Sequence, residues 1–377
     1  MSELRTLYWN ARGLRRKIPV LRHLLRHYSI DVALINETHL HPAFSSSLPG
    51  YHVLRLDTTA ETSQRGLLVA VRRNLPFQPL PSFDTQSFQS LGVETTIDAK
   101  PTRIFAIYRP CNLRLDLGEV RRLLHTSPAL AAGDWNAHHP AWGCRSPNSA
   151  GGRLYRDSQR SGYDVEGPDE FTHFPGSCLQ HPSTIDLVVH RGLKLDIEVL
   201  PEAHGSDHVP VLVIINGQRA LARVPPSRGC IDWERFETTL QSNPPPCSEP
   251  LVDAASVDRL ERVITSQIQG AMDTATTPHS TRGLPPLPQW IQTLIAKKRK
   301  TRIEWQITRD PALKAKLNGL VERIRAALES RDSASWEDRI MKANSDQSSM
   351  HKLSRQIMRK RPPVNPIRHS DGSLRYT

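Results

Sequence analysis

Short apolar blocks bounded by polar turn residues run along the chain from Leu4 to about Ile215. They are rich in valine, isoleucine, leucine and aromatic residues, and proline, glycine, asparagine or aspartate lies at their ends, which is typical of β-strands. The predicted strands are LRTLYW, DVALIN, YHVLRL, GLLVAV, LGVETTI, RIFAIY, PALAAG, TIDLVV, LDIEVL and VPVLVII.

Between the first two blocks, the apolar positions change to a helical spacing. One face of the segment from Leu14 to Tyr28 is apolar, which predicts an amphipathic helix. The residues of this face are Leu14, Ile18, Leu21, Leu24 and Leu25, and the stretch LGEVRRLLHTS indicates a second helix. About ten strands with a few helices predict an α/β or α+β sandwich, in which two sheets pack face to face and helices cover the outside.

Beyond Val224 the pattern changes to proline-rich linkers, RVPPSRG and SNPPPCSEP, and to long helices. Two helical stripes follow, formed by Val257, Leu260, Ile264, Ile268 and Ala271 and then by Leu313, Leu317, Leu320, Ile324 and Leu328. The tail RKRPPVNPIRHSDGSLRYT is basic and proline-rich. We therefore predict a helical connector with little core of its own, whose apolar stripes pack on each other or on a missing partner.

The net charge of the chain indicates what kind of partner it binds. The 377 residues include 50 lysines and arginines against 38 acidic residues, which gives a net charge of +12, and the pI is near 9.8. Such an excess favours a polyanionic partner, with nucleic acid before an anionic membrane surface, over a generic solvated surface.

Cysteine and hydropathy patterns exclude several classes of protein. The five cysteines are scattered without Cys-x-x-Cys spacing, which argues against a zinc finger and a disulfide framework and favours a reducing compartment. The first residues, MSELRTLYWN, contain no apolar signal-peptide core. No apolar run approaches the roughly 18 residues that a membrane span requires. We expect a soluble intracellular protein.

Polar and titratable side chains directly follow several predicted strands. Taken singly, each is more typical of a structural role, because Gly, Asp and Asn in LAAGDWNAHH are common turn residues and a glutamate after a strand is usually solvated. Taken together, their order along the chain is harder to assign to chance. The set consists of Asn10, Glu37, Tyr108 with Arg109, Asp134 with Asn136, Asp186, and Ser206-Asp207-His208.

This ordered set resembles the DNase I-like endonuclease/exonuclease/phosphatase superfamily over roughly residues 4 to 216. GDWNAHH and GSDHVPV are its most specific stretches, and INETHL and STIDLVV support them. YWNARGL, DVALINETHL, IYRP and GDWNAHHPAWG are similar to the apurinic-like endonuclease domain of jockey-type non-LTR retrotransposons, and KKRKTRIEWQITRDPALKAKLNGLVERIRAAL is similar to the connector before their reverse transcriptase. The chain contains no Tyr-x-Asp-Asp polymerase motif and no zinc knuckle, so we expect it to lack polymerase activity.

The resemblance implies a four-layered α/β sandwich of two mixed sheets flanked by helices in residues 1–220, and a basic helical connector in residues 221–377. It also implies a metal-dependent endonuclease that nicks target DNA and leaves a 3′ hydroxyl to prime reverse transcription. Hydrolysis of a phosphodiester requires an activated water, neutralised phosphate charge and help for the leaving oxygen. Mg²⁺, with Mn²⁺ as an alternative, suits this chemistry and prefers oxygen ligands.

The acidic and amide residues receive roles on this basis. Glu37 is the predicted first metal ligand, with Asn10 and Asp207 beside it. Asp134 is the predicted general base, and Asn136 would position the attacking water or a phosphate oxygen. Their two-residue spacing in an extended stretch would point both side chains the same way.

The resemblance also pairs His208 with Asp186, which would orient the ring and raise its pKa so that it binds phosphate as imidazolium. Tyr108 would donate a hydrogen bond to the phosphate. Three hydroxyl residues resemble the supporting residues of retrotransposon endonucleases: Thr172, Thr184 and Ser206.

Other basic and aromatic residues leave alternatives open. Arg12, with Arg15, Arg16 and Lys17 after it, either contacts the DNA backbone or belongs to the exposed face of the first helix. The cluster Lys297 to Lys300 either contacts nucleic acid, acts as a nuclear localisation signal or is a solvated helix face. Trp135 and Trp142 are predicted to pack rather than to stack on bases.

We expect double-stranded DNA as the partner, element RNA at the basic connector as a second partner, no membrane, and no small-molecule cofactor. The expected location is the nucleus after synthesis in the cytoplasm. Two alternatives stay open: an abasic-site repair endonuclease or phosphatase of the same superfamily, and a non-catalytic nucleic-acid-binding remnant. The presence of every residue in the ordered set counts against the remnant.

Overall fold

The computed structural model describes residues 3–44, 47–57, 65–125, 128–177, 180–200, 205–219, 230–242, 253–277, 287–308 and 310–343, and short pieces at 350–351, 353–355, 367–368 and 374–375. The chain divides into two compact units, Met1–Ala222 with Pro288–Thr377, and Arg223–Leu287. The helices after residue 288 thus group with the first 222 residues. The predicted limits, 1–220 and 221–377, stay a prediction.

Thirteen strands and three α-helices occur in the described part of the first 222 residues. The strands are β1 (Leu4–Asn10), β2 (Val32–Asn36), β3 (Tyr51–Leu56), β4 (Leu67–Arg72), β5 (Gln78–Pro79), β6 (Phe83–Asp84), β7 (Gln89–Ile97), β8 (Lys100–Tyr108), β9 (Ala129–Asp134), β10 (Asp164–Glu166), β11 (Asp186–Arg191), β12 (Leu195–Val199) and β13 (Val211–Ile215). The helices are α1 (Ile18–His27), α2 (Leu117–Leu123) and α3 (Ser149–Ser161).

These strands form two mixed sheets. The first has the order β12-β13-β1-β2-β4-β3, and the second has the order β10-β11-β9-β8-β7-β5 with β6 also paired to β7. Strands β1 and β2 are parallel, as are β8 and β9, whereas the other pairs are antiparallel. Each parallel pair is joined by a crossover that contains a helix, as parallel pairing requires.

The main core lies between the two sheets. Alternate residues of β1, such as Leu4 and Tyr8, pack there against Ile104, Ala132 and Val188 of the second sheet. A second core lies on the outer face of the second sheet and includes residues of α2 and α3. The predicted fold, two face-to-face mixed sheets flanked by helices as in DNase I, is confirmed, and so are all ten predicted strands.

The helices of this unit show where the sequence pattern was incomplete. Residues Arg15–Lys17 form a 3₁₀ turn, and the α-helix begins at Ile18 with Pro19 in its first turn, where a missing N–H costs little. Helix α3 was not predicted because two glycines interrupt its pattern. Its N-cap Asn148 accepts a hydrogen bond from Gly151 N–H, and a side chain on Gly151 would overlap the backbone of His138.

The remaining described elements confirm helices in the second part of the chain. They are β14 (Cys230–Ile231), α4 (Trp233–Ser242), α5 (Ala254–Ala275), β15 (Thr276–Thr277), α6 (Gln289–Thr308), α7 (Pro311–Ala343), β16 (Ile367–Arg368) and β17 (Leu374–Arg375). Most of the proline-rich linkers and of the basic tail lies outside the described residues. Among the described helices, none combines the length and apolar character that crossing a bilayer needs.

The two predicted stripes differ in burial. On α7 the side chains of Leu317, Leu320, Ile324 and Leu328 are buried, whereas on α5 Val257, Ile264 and Ile268 are at least 37% exposed. In the basic cluster on α6, Lys297 and Lys300 are exposed but Lys298 is buried. The cluster is therefore not a uniformly solvated helix face.

Candidate active site

The ends of the central strands of both sheets meet at one edge of the sandwich. Asn10 pairs with Asn36 where the parallel strands β1 and β2 end, and Tyr108 pairs with Asp134 where β8 and β9 end. Asp186, the first residue of antiparallel β11, lies opposite Asp134. Because parallel strands end at the same edge, the sheet register alone brings residues from distant parts of the chain to this place.

His208 lies between two buried aspartates. Its Nδ1 is 2.8 Å from Asp186 Oδ2, and its Nε2 is 3.8 Å from Asp134 Oδ2. The three residues are at most 5% exposed. The Tyr8 hydroxyl donates a hydrogen bond of 2.9 Å to Asp186 Oδ1, so both oxygens of this carboxylate have a partner. The predicted pairing of His208 with Asp186 is present.

Burial and charge shift the pKa values of this cluster in opposite directions. Burial lowers the pKa of His208, but the Asp186 and Asp134 carboxylates raise it more, to about 10. The ring is therefore an imidazolium at neutral pH. Burial raises the pKa of Asp134 above its usual range, and the charge of His208 acts against this rise.

Asn10 joins this cluster to Glu37. The Asn10 Nδ2 group donates to Glu37 Oε1 at 3.2 Å and to Asp134 Oδ2 at 3.1 Å. Two carboxylates thus converge on one amide at the boundary between the sheets. Tyr108 faces the same place, and burial followed by the charges of Glu37 and Asp134 raises the pKa of its hydroxyl, which stays protonated.

Two groups of residues could hold a metal ion. In the described chain, Asp134, Asp186 and His208 form a group whose ligand atoms lie within 4.8 Å of one another. Within this group, however, both carboxylate oxygens of Asp186 already have a partner, Tyr8 for one and His208 for the other. The second group is Glu37 and Asp134, which face Asn10 from two sides and offer the oxygen ligands that a hard divalent cation prefers.

Asp207, the third predicted metal ligand, contacts an arginine and a histidine. Its Oδ2 is 2.5 Å from Arg12 Nη1 and 3.8 Å from His173 Nε2. Burial raises the pKa of Asp207, but His173, His208 and Arg12 lower it more, so that it lies well below the usual range. The carboxylate is therefore ionised at neutral pH, and its contacts place it at the cationic rim of the site.

The geometry expected for Asn136 is wrong. This residue has φ of 45°, in the left-handed region, rather than extended backbone, so the two-residue spacing does not align its side chain with Asp134. Instead, Asn136 N–H donates to Asp134 Oδ1 at 2.9 Å, and the side-chain amide donates to the carbonyl of Arg109 at 2.9 Å. The loop after Asp134 is therefore a tight turn that fixes the carboxylate.

Gly133 and Arg109 position the end of β9 and the loop that follows it. Gly133 lies within β9 and is needed for a close approach rather than for a bend, because a Cβ there would overlap the carbonyl oxygen of Ile107 on β8. The buried Arg109 guanidinium donates to the carbonyls of Trp135 at 2.6 Å and Asn136 at 3.0 Å. Trp135 and Trp142 are 0% and 5% exposed within the second core, which confirms that they pack.

The three predicted supporting hydroxyls contact backbone groups, and those of Thr172 and Ser206 do so around the cluster. Thr172 Oγ1 accepts hydrogen bonds from the N–H groups of Ile185 and Asp186, both at 3.3 Å. The Ser206 hydroxyl donates to the Asn10 carbonyl at 2.7 Å and accepts from His208 N–H at 3.2 Å. Thr184 is buried, and its hydroxyl donates to the Glu170 carbonyl at 3.3 Å, away from the cluster.

The basic residues after Asn10 differ in exposure and in their contacts. Arg12 is exposed and contacts Asp207, and Arg15 and Arg16 are exposed as well. Lys17 instead donates to the carbonyls of Ala11 and Arg12, and burial lowers its pKa to about 8. Lys17 thus closes the loop that carries Arg12.

Three residues of this region were not identified from the sequence. Tyr8 and Asn36 connect Asp186 to the central strands, since Asn36 Nδ2 is 3.3 Å from the Tyr8 hydroxyl. Tyr8 could have been found, because it lies two residues before Asn10 on the same strand and therefore on the same face. His173 packs against the ring of His208 at 4.6 Å between centroids, and no local signal indicated it.

The fold and this cluster together define a class of protein. Residues 7–208 match the profile of the Endonuclease/Exonuclease/phosphatase family, so the chain belongs to that family. The resemblance that the ordered residues indicated is thereby confirmed.

Among individual proteins, the chain is similar along almost its whole length to polymerases of mobile elements. It is 27% identical to a probable RNA-directed DNA polymerase from transposon X-element of Drosophila melanogaster, over 99% of this chain and 42% of that protein. It is 26% identical to the RNA-directed DNA polymerase from mobile element jockey of the same organism, over 97% of this chain and 41% of that protein. The chain spans about two fifths of the length of these curated relatives.

A solved structure, the endonuclease domain of TRAS1, a telomere-specific non-LTR retrotransposon, is 18% identical. It aligns with 57% of this chain and 99% of its own length at a TM-score of 0.47.

Proposed function

We propose that this chain is a metal-dependent endonuclease that nicks one strand of target DNA and leaves a 3′ hydroxyl. The observation that carries the proposal is the continuous chain of side-chain contacts from Asp186 through His208, Asp134 and Asn10 to Glu37. It joins the His208 imidazolium to three carboxylates at the edge where the central strands end. Family membership supports phosphodiester chemistry at this edge.

Glu37 would be the main ligand of Mg²⁺ or Mn²⁺, with Asn10 beside it, and Asp207 would contact the hydration shell of the ion. A bound divalent cation would neutralise charge on a non-bridging phosphate oxygen and assist departure of the 3′ oxygen. Because Asn10 Nδ2 donates to both Glu37 Oε1 and Asp134 Oδ2, an oxygen ligand for the ion and the proposed base lie side by side.

The other side chains would bind and activate the reactants. Asp134 would accept the proton of the attacking water, since a carboxylate whose pKa is raised by burial is a better base at neutral pH. His208, held as imidazolium by Asp186, would donate a hydrogen bond to a phosphate oxygen, and the protonated Tyr108 would donate another. Asn136 would act mainly by positioning Asp134 through its backbone N–H.

The relatives support a proposal for the biological role. Because the similar proteins are described as polymerases from mobile elements, we propose that the nick primes reverse transcription at the target, in the nucleus. In this proposal residues 1–220 are the nuclease and residues 221–377 connect it to a reverse transcriptase and contact element RNA. Arg12 and Thr172 would support the DNA and the site, respectively.

The test is a nicking assay with supercoiled plasmid in Mg²⁺, Mn²⁺ or EDTA, with Asp134→Ala and His208→Ala as variants. His190→Gln is the matched control, because His190 is a buried histidine on β11 that pairs with Glu166 outside the site. We expect metal-dependent nicks with extendable 3′ ends from the wild type and the control alone. An intact plasmid, or equal nicking by both alanine variants, contradicts the proposal.

The same samples separate the alternatives. Cleavage of an abasic oligonucleotide far faster than of intact duplex would indicate a repair endonuclease, and release of inorganic phosphate from a monoester would indicate a phosphatase. Salt-sensitive DNA binding without cleavage in any metal would indicate a non-catalytic remnant.

A further inference from the structure

The hairpin of α6 and α7 packs on the nuclease fold beside the candidate active site. Trp305 of α6 and Leu317 of α7 form a buried cluster with Phe174 and Val209, which directly follow His173 and His208 in the sequence. On the other side of the hairpin, Arg22 of α1 forms an ion pair of 3.5 Å with Asp332 of α7. The hairpin therefore packs against the nuclease fold next to the candidate active site and is not a detached connector.

A cavity of about 220 Å³ lies between the hairpin and the site. The nuclease fold contributes Arg12, Ser206 and Asp207, and the hairpin contributes Arg302, Lys314 and Trp305. Three cations and one carboxylate give the lining a positive charge. Since Asp207 already contacts Arg12 at 2.5 Å, the electrostatic preference of the cavity is for an anion.

The aromatic rings of this cavity hold cations in place. Lys314 Nζ lies 4.1 Å from the centre of the Trp305 ring, and the Arg302 guanidinium lies 5.3 Å from that of Phe174. Cation–π contacts of this kind orient the charge. Because a cation lies over one face of each ring, the cavity presents positive charge, which suits a phosphate better than a stacked base.

A second cavity, of about 370 Å³, continues the positive surface. It shares Arg12, Gly205 and Val321 with the first, and the basic residues Arg15, Arg16 and Lys17 line it. Glu322 and Arg325 of α7 form its opposite wall and pair with each other at 2.6 Å. The two cavities thus form one cationic groove between α7 and the loops of the nuclease fold that carry Arg12 and Gly205.

We propose that this groove binds the phosphate backbone of the DNA strand next to the cleaved bond, with Lys314 and Arg302 as phosphate contacts supplied by the hairpin. The inference deepens the proposed function and rests on it for the identity of the strand. DNA is favoured over other polyanions because the first cavity shares Ser206 and Asp207 with the candidate active site. Phosphate contacts position a nuclease on its substrate without reading sequence.

The test compares wild type, Lys314→Gln, Lys314→Arg and Arg302→Gln of the full chain in fluorescence anisotropy with a labelled 20-base-pair duplex. EDTA prevents cleavage, and KCl is varied from 50 to 200 mM. Lys316→Gln is the matched control, because Lys316 is exposed on α7 and does not line either cavity. Single-stranded RNA and duplex RNA are measured in parallel.

We expect Lys314→Gln to weaken DNA binding by about tenfold at low salt and to reduce the salt slope by about one, as loss of one phosphate contact does. Lys314→Arg should retain the wild-type slope, and Lys316→Gln should stay within about twofold of the wild-type affinity. Arg302→Gln should reduce the slope as well, and a thermal melt checks that this buried position still folds.

Four outcomes decide the inference. Equal salt slopes for Lys314→Gln and Lys316→Gln overturn it. Loss of affinity in Lys314→Arg as well would assign Lys314 a structural role and overturn it. A loss seen only with RNA would assign the groove to RNA and overturn the DNA proposal. If the wild type does not nick plasmid but its DNA binding depends on Lys314, the groove stands and the proposed nuclease function fails.

Discussion

The candidate active site and the α6–α7 hairpin border the same rim but are built in different ways. In the site, hydrogen bonds join residues far apart in the sequence: Asn10 to Asp134, and Tyr8 to Asp186. In the hairpin, one apolar stripe of α7 is buried, and the hairpin contacts the nuclease fold through a small cluster around Trp305 and through the ion pair of Arg22 with Asp332. The site therefore depends on the register of two sheets, whereas the hairpin depends on packing against the surface of the nuclease fold.

The two regions also differ in how they hold charge. The site keeps Asp134 and Asp186 buried, and one imidazolium compensates them. The hairpin places Lys314 over an aromatic face at the edge of a cavity. Buried charges need several fixed partners because desolvation is costly, while a half-buried cation such as Lys314 remains near solvent. Removing a charged side chain of the site should therefore have a larger effect than removing Lys314 from the hairpin.

The largest effect is expected for Asp134→Asn. Loss of a general base typically lowers the rate by 10²–10⁴-fold, and we expect about 10³-fold or more for plasmid nicking. The free energy of unfolding should fall by less than about 2 kcal/mol, because a buried neutral amide costs less than a carboxylate and this offsets the weakened contact with Asn10. Nicking rates and urea unfolding check this. Full activity in the variant would remove Asp134 from catalysis.

The second prediction concerns pH. The folded pKa of His208, about 10, lies above the unfolded value of about 6.5. The ion pair therefore stabilises the fold fully below pH 6.5, and this contribution is lost as the pH rises through 10. Compared with His208→Gln, the wild type should be more stable by about 4 kcal/mol at pH 6, since breaking a buried pair costs about 3–5 kcal/mol.

Urea unfolding of both proteins from pH 6 to 10 measures this difference, and His190→Gln controls for removal of a buried ring. A difference that grows as the pH rises would contradict the assignment of His208 as imidazolium.

The third prediction separates the hairpin from the site. Trp305→Ala should weaken hairpin docking by about 3 kcal/mol, because it empties the centre of the small cluster. Hydrogen exchange should then increase in α6 and α7 but not in β1, β9 or β11. The control is Trp336→Ala on α7, since Trp336 is 40% exposed and lies under Arg339. Faster exchange in the central strands as well would mean that the two regions unfold together.

The smallest effect is expected for Tyr8→Phe, which removes the hydroxyl that donates to Asp186. Loss of this buried hydrogen bond should cost about 1–2 kcal/mol of unfolding free energy. Tyr51→Phe is the control, because its hydroxyl donates to the Ile30 carbonyl at 2.6 Å away from the site. Both variants should lose similar stability, but only Tyr8→Phe should alter nicking. An equal nicking rate in both would show that Asp186 needs no second partner.

Much of the fold could be predicted from local pattern. The ten strands and the first helix follow from apolar blocks and helical spacing, which depend on near neighbours. Helix α3 could not be predicted, because Gly151 and Gly152 interrupt its helical spacing of apolar residues. The strands β5, β6 and β10 could not be predicted either, because two or three residues are too few to show an alternating pattern. The stripe of α7 was identified, but the surface that it covers was not.

The site shows the same division. The order of polar residues after strands identified Asn10, Glu37, Asp134, Asp186 and His208. The geometry of Asn136 was predicted incorrectly, because an isolated Asp-x-Asn does not reveal that its last residue adopts a left-handed conformation. His173 was missed, because its contact with His208 forms only when two loops meet.

The sequence by itself determined the class of fold, the family and the residues at the ends of the strands, because apolar period and motif order are properties of short stretches. The tertiary structure alone decided that Asn10 contacts both Glu37 and Asp134, that Gly133 is required by β8, and that the hairpin lies beside the site. These features depend on sheet register and packing between distant segments, which no local pattern encodes.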